Sequence, residues 1–384
     1  MAIERSERLQ ILAMVDRLIK EKVAPQAAAI DAEDKFPTAL YAETAKLGLL
    51  GLWIPEEYGG TGPDLITPLI ISEHFARASC TFALIYSNCG DAVNPIVNAA
   101  ADHLKKEWLP KIASGEVIPC FSLSEPGAGS DAASITTRAE KDGGTYIING
   151  RKCWCTNGSV GGVYTLFAKT QPNNSHKGIS AFLVPRDVPG LSIVRDEDLM
   201  GLRGSPTTEL AFDNVRLPAD HLIGQEGEGF KIAMIALDEA RLNCAAMALG
   251  AGTAALNDAV NYAKERVQFG KPIIEHQGLQ FLLAEMTAQI AAARSLWGES
   301  IDMLEAGQSK RSSAYTALTK YVCTEAAMKV TIDAVQVFGG SGLSKSNSVE
   351  RYMRDVKAFQ IFDGTNEIQK MLIGRYLQKE GVPF

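Results

Sequence analysis

The stretch TYIINGRKCWCTNG (145–158) decides the fold of this chain, because it is a short apolar run broken by Asn-Gly and closed by Thr-Asn-Gly. Short runs of this kind, separated by turn-forming residues, are typical of β-strands. More runs of the same character lie between about 118 and 222: VYTLFAKT (163–170), ISAFLVPR (179–186), LSIVRD (191–196) and TELAFDNVRL (208–217). The middle of the chain is therefore predicted to be a compact β domain.

Apolar residues on both sides of this β segment recur with helical spacing. Residues 1–115 include LQILAMVDRLI (9–19) and LYAETAKLGLLGL (40–52), and long helical patterns return from about 228 and continue through 275–306, 310–339 and 349–360. Helices, then an all-β middle, then a helical bundle predict an α+β fold in three parts. We predict an N-terminal helical domain at 1–117, the β domain at 118–225 and a C-terminal helical bundle domain at 226–384.

The composition limits the classes of function. The 384 residues are 46% hydrophobic and carry a formal net charge of −7, which supports a sizeable core and argues against nucleic acid and anionic membranes as partners. No run of 18 apolar residues is present, so we expect no membrane span. The first 20 residues have the pattern of a charged amphipathic helix and not of a signal peptide, and the odd number of cysteines indicates reduced thiols. These features predict a cytoplasmic enzyme. Because no second cluster accompanies Cys153 and Cys155, we predict no metal site.

A glycine-rich stretch, LSEPGAGSD (123–131), is the first candidate for ligand binding. Its proline and two glycines favour a tight turn whose N–H groups, together with Ser124 and Ser130, could contact polar ligand atoms. It is not a GxGxxG dinucleotide fingerprint, and no βαβ unit surrounds it. An ordinary loop between strands is the alternative interpretation.

Two further motifs carry residues suited to a flat or charged ligand. In CWCTNG (153–158), Trp154 and Thr156 are two apart in a predicted strand and so project from one face, where an indole and a hydroxyl suit an aromatic cofactor ring. In AKERVQFGKPIIEHQ (263–277), a helix ends near Arg266 and a turn leads into the next helix. This junction offers a charge, an amide and a ring for a pyrophosphate group.

Two more motifs mark helix ends near the C-terminus. In DAVQVFGGSG (333–342) a helix ends at two glycines, which a plain C-cap would also explain. In IFDGTNEIQ (361–369) an aspartate precedes Gly-Thr just before the final helix, which starts at about Asn366. Asp363 is therefore either a functional carboxylate or simply a helix cap.

In this order and at these spacings, SEPGAGSD, WCTNG, ERVQFGKPIIEHQ, VQVFGGSG and RDVKAFQIFDGTNEIQ resemble the acyl-CoA dehydrogenase family, and the resemblance covers essentially the whole chain. It implies an N-terminal α-helical domain, a middle β-barrel-like domain and a C-terminal four-helix bundle. It also implies an FAD-dependent homotetramer that oxidises an acyl-CoA substrate and passes electrons to electron-transferring flavoprotein.

The resemblance implies a role for each matching residue. The isoalloxazine ring of FAD would be held by Leu123, Ser124, Gly129, Ser130, Trp154 and Thr156. The FAD diphosphate and nearby groups would be bound, from a neighbouring subunit, by Arg266, Gln268, Phe269, Gln277, Gln336 and Gly340, with Thr365 and Glu367 towards the adenosine. Asp238 and Arg241 would contact the CoA moiety, and the substrate-binding set would be completed by Ser130, Asn88 and Gly364. A surface charge on a helix is the alternative for Arg241.

The residue at position 363 departs from the family pattern. The family commonly has a glutamate before Gly-Thr, which removes the α-proton of the substrate, whereas the carboxylate of Asp363 is withdrawn by one bond, about 1.5 Å. Proton transfer requires near contact, so the shorter reach would slow it. The family's other base position is Ala240 here, and the neighbouring Glu239 is expected to face elsewhere. Asp363 is thus a base for a bulkier substrate that comes closer, or a weakened remnant.

A second departure lies in IYSNCGDAVNPIV (85–97), which matches the family region that lines the acyl cavity. Family members have apolar or small residues there, whereas this chain has Asp91, with Asn88 and Asn94 nearby. A buried carboxylate is costly unless it is used or paired. Asp91 is either a second catalytic carboxylate, or it caps a helix that begins near Pro95 or points to solvent.

Two carboxylates in one pocket suit an α,β-unsaturated cyclic thioester such as cyclohex-1-ene-1-carboxyl-CoA. This compound has no α-proton to lose, and its acidic proton lies on the γ carbon, deeper in the cavity, where Asp91 could reach it. The leading hypothesis is an alicyclic acyl-CoA dehydrogenase that converts cyclohex-1-ene-1-carboxyl-CoA to a conjugated cyclic diene by a 1,4-type elimination, or cyclohexanecarboxyl-CoA by 1,2-elimination. The alternatives are an ordinary short- or branched-chain acyl-CoA dehydrogenase with Asp363 as α-proton base, a catalytically weak subunit for electron transfer or assembly, and an oxidase on the same fold.

Overall fold

The structure is a computed structural model that describes residues 4–62, 64–306 and 309–382. Its N-terminal part is helical and consists of α1 (Arg5–Leu18), α2 (Ala24–Glu33), α3 (Thr38–Lys46), α4 (Ile66–Ala76), α5 (Cys80–Ala99) and α6 (Asp102–Ala113). A π-helical turn, Ile19–Val23, joins α1 to α2. Apolar side chains from these helices pack together with those of the C-terminal helices in one large core.

Helix α5 runs through this core and carries one of the candidate carboxylates. The Ser79 hydroxyl caps its start by accepting a hydrogen bond from the Phe82 N–H at 3.2 Å. The expectation that a helix begins near Pro95 is wrong, because Pro95 lies inside α5. Proline lacks the N–H that would bond the carbonyl four residues earlier, which usually ends or kinks a helix. Here Pro95 is buried, and the nearby Ala92 carbonyl accepts a hydrogen bond from the Thr165 hydroxyl at 3.0 Å, so the helix is packed against the β domain close to the proline.

The middle of the chain forms a sheet, as predicted. Its strands are β1 (Pro119–Ser122), β2 (Arg138–Asp142), β3 (Thr145–Thr156), β4 (Val163–Lys169), β5 (Ile179–Pro185), β6 (Leu191–Asp196), β7 (Thr207–Pro218) and β8 (Leu222–Ile223). The strand order is β6-β7-β3-β2-β4-β5-β8, and β1 pairs in parallel with β4. The sheet encloses a second core of its own, in which Tyr146 and Phe182 meet edge to face at 4.9 Å.

The C-terminal part is a helical bundle. It consists of α7 (Gly229–Glu265), a hairpin of β9 (Val267–Gln268) and β10 (Lys271–Pro272), and then α8 (Gln277–Glu305), α9 (Ser309–Phe338), α10 (Val349–Phe359) and α11 (Asn366–Glu380). Helix α7 crosses α4 closely at Gly250, where an added Cβ would stand 2.3 Å from the Glu73 carbonyl oxygen. This approach explains why a glycine is needed at that position.

Arg354 on α10 connects the three parts of the chain. Its guanidinium donates hydrogen bonds to the Asp31 carboxylate on α2 at 2.8 and 2.9 Å, and to the Met200 carbonyl in the β domain at 2.8 Å. The next residue, Asp355, accepts a hydrogen bond from the Leu202 N–H at 2.6 Å. Because α10 ends four residues before Asp363, this network fixes the helix that leads into the candidate active site.

The predicted α+β order, with an N-terminal helical part, a middle β part and a C-terminal helical bundle, is confirmed by this architecture. Within the part of the chain that the structure describes, none of the helices combines the length and apolar character needed to cross a membrane.

Candidate active site

Asp363 lies in the loop between α10 and α11. The N-cap of α11 is Thr365, whose hydroxyl accepts a hydrogen bond from the Ile368 N–H at 3.4 Å. Asp363 itself has a left-handed backbone with φ of +54°, and Gly364 follows with φ of +87°. The alternative that Asp363 caps the last helix is therefore wrong, and its carboxylate is available for another role.

Hydrogen bonds to backbone oxygens fix this loop. Lys320 Nζ donates to the Gly364 carbonyl at 2.9 Å, and Gln369 Nε2 donates to the carbonyls of Asp363 and Gly364 at 3.1 and 2.7 Å. Arg241 Nε donates to the Asp363 carbonyl at 3.4 Å. These bonds orient the Asp363 side chain without engaging its carboxylate. Burial raises the pKa of Asp363 to about 6, against the lowering effect of the Lys320 and Arg241 charges, which suits a group that accepts a proton near neutral pH.

Arg241 is buried, with only 5% of its surface exposed. The alternative that it is a surface charge on a helix is therefore wrong. Its guanidinium pairs with the Asp238 carboxylate, and Asp238 Oδ1 also accepts a hydrogen bond from Ser313 Oγ at 3.1 Å. The pair stands beside the Asp363 loop, so the two residues predicted to bind CoA lie at the same site as the predicted base.

Asp91 lies in the middle of α5, and it neither caps a helix nor points to solvent. Its Oδ1 atom is buried and has no hydrogen-bond partner among the described residues. Burial and the negative charges of Asp363 and Glu239 raise the pKa of Asp91 well above its ordinary value, and the Asn243 amide lowers it in part. The charge of Asp363 thus reaches Asp91, and the role of Asp91 as a second catalytic carboxylate stays a prediction.

Glu239 is a third carboxylate at this site, and the expectation that it faces elsewhere is wrong. Its Oε2 atom accepts a hydrogen bond from Asn94 Nδ2 at 2.7 Å, and its Oε1 atom is buried without a partner among the described residues. Burial raises the pKa of Glu239 to about 7, although the bond from Asn94 opposes this. The sequence held one signal of this placement, since Glu239 and Asn243 are four apart and so share a face of α7.

Asn88 is buried and occupied by a structural contact. Its Nδ2 donates a hydrogen bond to the Pro119 carbonyl at 3.3 Å, which attaches α5 to the first residue of β1. Strand β1 leads directly into the glycine-rich loop at 123–131. The helix that carries Asp91 and the loop predicted to hold the flavin are therefore fixed to each other, and a substrate contact by Asn88 stays a prediction.

The glycine-rich loop is held in shape by a buried ion pair. Lys152 Nζ donates to Glu125 Oε1 and to the Leu123 carbonyl, both at 2.8 Å, and none of the Lys152 surface is exposed. Glu125 also accepts hydrogen bonds from the N–H groups of Thr136 and Thr137 at 2.6 and 2.9 Å. Although burial opposes it, the charge of Lys152 and these donors lower the pKa of Glu125 to about 2. These contacts fix the shape of the loop, and its contact with the flavin stays a prediction.

The residues beside this loop fit a flat aromatic cofactor. Trp154 is 58% exposed, although it lies in β3, and a register irregularity with φ of +58° at Trp154 breaks the simple alternation on which its predicted pairing with Thr156 was based. Thr156 is half-buried. A Cβ atom added at Gly127 or Gly129 would meet no atom within 4 Å, so the space around these glycines is open. This donor set and the exposed ring fit the isoalloxazine ring of FAD.

The second predicted group of FAD contacts lies at the far end of α7. The turn between β9 and β10 places Phe269 and Gly270 at φ of +52° and +79°, and Phe269 is 96% exposed. The C-terminal end of α9 reaches the same region, since Phe338 stacks on Tyr262 at 4.2 Å. This end of the bundle therefore presents exposed residues from both motifs: Arg266, Gln268, Phe269, Gln277, Gln336 and Gly340.

One chain does not bring all of the predicted cofactor residues together. Arg266 follows Arg241 by 25 positions along α7, which corresponds to about 37 Å of helix. The exposed group near Arg266 is thus remote from the carboxylate site of its own chain. At the carboxylate site, Thr365 serves as the helix cap described above and Glu367 is exposed.

Comparisons with known proteins agree over the whole chain. Models for the acyl-CoA dehydrogenase N-terminal, middle and C-terminal domains match residues 5–116, 120–215 and 227–378. An acyl-CoA dehydrogenase of Bacillus subtilis and a cyclohex-1-ene-1-carbonyl-CoA dehydrogenase of Geobacter metallireducens are each 41% identical to it, over 97% of this chain and 98% of the relative.

Solved structures give the same result. Butyryl-CoA dehydrogenase from Megasphaera elsdenii superimposes with a TM-score of 0.94 at 37% identity, over 99% of this chain and 100% of that one. A chain from a structure described as the electron transferring flavoprotein of Acidaminococcus fermentans has a TM-score of 0.95 at 36% identity, over the same shares of the two chains.

Proposed function

The chain belongs to the acyl-CoA dehydrogenase family, and we propose that its substrate is an alicyclic acyl-CoA, with cyclohex-1-ene-1-carboxyl-CoA favoured over cyclohexanecarboxyl-CoA. The chain is an FAD-dependent oxidoreductase that acts on an acyl-CoA. The names of its relatives do not choose the acyl group, because a general acyl-CoA dehydrogenase and a cyclohexenecarbonyl-CoA dehydrogenase are equally similar to it.

The observation that carries the proposal is the pairing of Asp91 with Asp363. Burial and the charge of Asp363 both raise the pKa of Asp91, which supports the proposal that the two carboxylates serve one site. An ordinary saturated acyl-CoA needs one base beside its thioester. A cyclic enoyl thioester needs a base further along the ring, and Asp91 on α5 supplies a second one.

In the proposed reaction, Asp91 takes the γ-proton of the ring and Asp363 lies nearer to the thioester. The ring loses one proton to the Asp91 carboxylate and one hydride from another ring carbon, so two new π electrons complete a conjugated diene. FAD, when bound, accepts the hydride. A raised pKa makes Asp91 a stronger base in its ionised form, which suits a weakly acidic C–H bond.

We further propose that Arg241 and Asp238 bind the CoA moiety, and that Ser130, Asn88 and Gly364 line the acyl site. In this proposal the isoalloxazine lies between the glycine-rich loop and Trp154, where the exposed indole and the open space beside Gly129 support it. The bundle end near Arg266 then binds the diphosphate of the FAD in a second copy of the chain.

The remaining parts of the proposal concern assembly and partners. The separation of about 37 Å between Arg266 and Arg241 along α7 supports a homo-oligomer, and the family resemblance favours a tetramer. Electron-transferring flavoprotein is the proposed acceptor, and the cytoplasm is the proposed location. Sedimentation of the holoenzyme tests the assembly, and reoxidation of the reduced enzyme by purified electron-transferring flavoprotein tests the acceptor.

The experiment that tests the substrate is anaerobic bleaching of the bound flavin by a panel of CoA thioesters. The panel contains the butyryl, isobutyryl, cyclohexanecarboxyl and cyclohex-1-ene-1-carboxyl compounds. We expect the cyclohexenyl thioester to bleach the flavin fastest. Faster bleaching by butyryl- or isobutyryl-CoA would instead identify an ordinary short- or branched-chain dehydrogenase, and no bleaching by any thioester would identify a catalytically weak subunit.

A further inference from the structure

Four polar residues on the facing sides of α5 and α7 form what we call the α5–α7 cluster: Asp91, Asn94, Glu239 and Asn243. Asp91 and Asn94 are three apart on α5, and Glu239 and Asn243 are four apart on α7, so each pair shares one helix face. The 2.7 Å hydrogen bond from Asn94 Nδ2 to Glu239 Oε2 joins the two faces. Glu239 is thus bound to Asn94, which lies about one helical turn along α5 from Asp91.

Three polar atoms of the cluster are buried and have no hydrogen-bond partner among the described residues. They are Oδ1 of Asp91, Oε1 of Glu239 and Nδ2 of Asn243. Asn243 is only 1% exposed, and its other amide atom already accepts a hydrogen bond from Ser72 Oγ at 3.1 Å. Unpaired buried polar atoms destabilise a fold, so their gathering around one carboxylate indicates a functional use.

The charges around Asp91 are mostly negative. Burial is the largest cause of the raised pKa of Asp91, and the charges of Asp363 in the loop before α11 and of Glu239 on α7 raise it further. The thiols of Cys89 on α5 and Cys244 on α7 are also close enough for the charge of Asp91 to raise their pKa values. The nearby cations, Arg241 and Lys320, act on Asp363. Buried carboxylates that interact in this way are harder to ionise together than singly.

We propose that Glu239 is a positioning residue for Asp91: held by Asn94, its carboxylate sets how strongly Asp91 binds the proton it takes from the substrate ring. Glu239 does not touch the reacting atoms. The proton passes from the ring carbon to an oxygen of Asp91, and the electron pair of that C–H bond stays in the ring as a π bond. The hydride leaves from another ring carbon with the electron pair of its own C–H bond. The catalytic part of this inference rests on the proposed function, whereas the electrostatic link between the two carboxylates does not.

The test is an infrared titration of the FAD-loaded enzyme without substrate, which follows the protonated-carboxyl absorption between pH 5 and 10. The Asp91→Asn variant identifies the Asp91 signal. Glu239→Gln keeps an oxygen that can accept the Asn94 hydrogen bond but removes the charge, so the titration midpoint of Asp91 should fall by about one pH unit or more. Glu239→Asp keeps the charge, so its Asp91 midpoint should lie closer to the wild-type value than that of Glu239→Gln. Glu140→Gln removes an exposed carboxylate and is the matched control, in which the Asp91 midpoint should not change.

A second variant tests the hydrogen bond. Asn94→Ala removes the donor that favours ionised Glu239, so the titration midpoint of Glu239 should rise. An Asp91 midpoint that stays at its wild-type value in Glu239→Gln would overturn the proposal, and so would an unchanged Glu239 midpoint in Asn94→Ala.

An activity measurement separates this proposal from the proposed function. If Asp91 removes the ring proton, Glu239→Gln should move the acidic limb of cyclohexenyl-CoA oxidation to lower pH by the same amount as the infrared midpoint. Oxidation of cyclohexanecarboxyl-CoA, for which Asp363 is the proposed base, should keep the acidic limb of its pH–rate profile at the wild-type position. A different result is that the wild-type enzyme fails to oxidise the cyclohexenyl compound while the Asp91 midpoint still falls in Glu239→Gln. That result would refute the proposed substrate and support the link between Glu239 and Asp91.

Discussion

Asp91 on α5 and Asp363 in the loop before α11 lie close enough for the charge of Asp363 to raise the pKa of Asp91. Asp91 belongs to the N-terminal helices and Asp363 to the C-terminal bundle, so the two residues interact across the interface between these parts. Because like charges in a buried site resist joint ionisation, the pair holds one proton more readily than it loses both. The proposed distinction between a base beside the thioester and a base deeper in the pocket depends on this relationship.

Lengthening the side chain at position 363 should favour ordinary substrates. Asp363→Glu extends the carboxylate by one bond, about 1.5 Å, towards an α-proton. We expect oxidation of butyryl-CoA to rise by about tenfold or more, because proton transfer depends steeply on approach. Oxidation of the cyclohexenyl compound should fall or stay level. A variant with unchanged kcat/KM for butyryl-CoA would show that reach is not what limits Asp363.

Neutralising Asp363 should stabilise the fold at alkaline pH. The folded pKa of about 6 lies above the ordinary value of 3.8, so ionisation of Asp363 removes stability as the pH rises through about 4 to 6. At pH 8, Asp363→Asn should therefore unfold at a higher temperature than the wild type, and its free energy of unfolding should be about 1–3 kcal/mol larger. The difference between the two proteins should be smaller at pH 4. Asparagine also tolerates the φ of +54° at this position. Calorimetry of the two proteins at both pH values checks this, and equal differences at pH 4 and pH 8 would contradict it.

The local elements could be predicted from the sequence because they follow short-range rules. Helical spacing located α8 to within two residues, and the cluster of short apolar runs located the sheet. Arg266 was correctly placed at a helix end, since the glycine of the following turn is visible in the sequence. These features depend on neighbours along the chain.

The errors have tertiary causes. Pro95 was expected near a helix start, but it lies buried inside α5, close to a hydrogen bond from Thr165 in the β domain to the Ala92 carbonyl. Glu239 was expected to face away from the site because it is one residue, or about 100° around the helix, from Ala240. Helix α5 packs against the face of α7 that carries Glu239, and Asn94 on α5 donates a hydrogen bond to it. Trp154 lies at a break in the β3 register that alternation alone does not reveal. In each case the deciding partner is distant in sequence.

Removing the charge of Lys320 should change the pH dependence that Asp363 controls. Lys320 is buried, and its charge lowers the pKa of Asp363. In Lys320→Met that pKa should rise above about 6, so the acidic limb of α-proton removal should move to higher pH. The variant also loses the hydrogen bonds to the Gly364 carbonyl and Asn366 Oδ1, which should cost about 1–3 kcal/mol of unfolding free energy. Rate profiles with cyclohexanecarboxyl-CoA from pH 5 to 9 measure the limb, and a shift to lower pH would be the wrong sign.

Breaking the buried pair under the glycine-rich loop should weaken both the fold and flavin binding. Glu125→Gln leaves Lys152 without its counter-charge, at an expected cost of about 3–5 kcal/mol of unfolding free energy. Because the folded pKa of Glu125 is about 2, its contribution is present above pH 4.5 and is lost as the pH falls towards 2.

Denaturant titrations and flavin fluorescence measure both effects of this change. The double variant Glu125→Leu/Lys152→Met should recover part of the stability, and the exposed Glu140→Gln should behave as the wild type. A Glu125→Gln protein with full stability and full FAD retention would show that the pair does not support the loop.

The measurement that tests the central claim most directly is single-turnover flavin reduction by cyclohex-1-ene-1-carboxyl-CoA in the wild type and in Asp91→Asn. The exposed Asp187→Asn serves as a matched control, and butyryl-CoA serves as the substrate that needs only Asp363. We predict that Asp91→Asn loses reduction by the cyclohexenyl compound by about a thousandfold or more, and keeps most of any reduction by butyryl-CoA. Undiminished reduction of Asp91→Asn by the cyclohexenyl compound would contradict the role of Asp91 as the base that removes the ring proton.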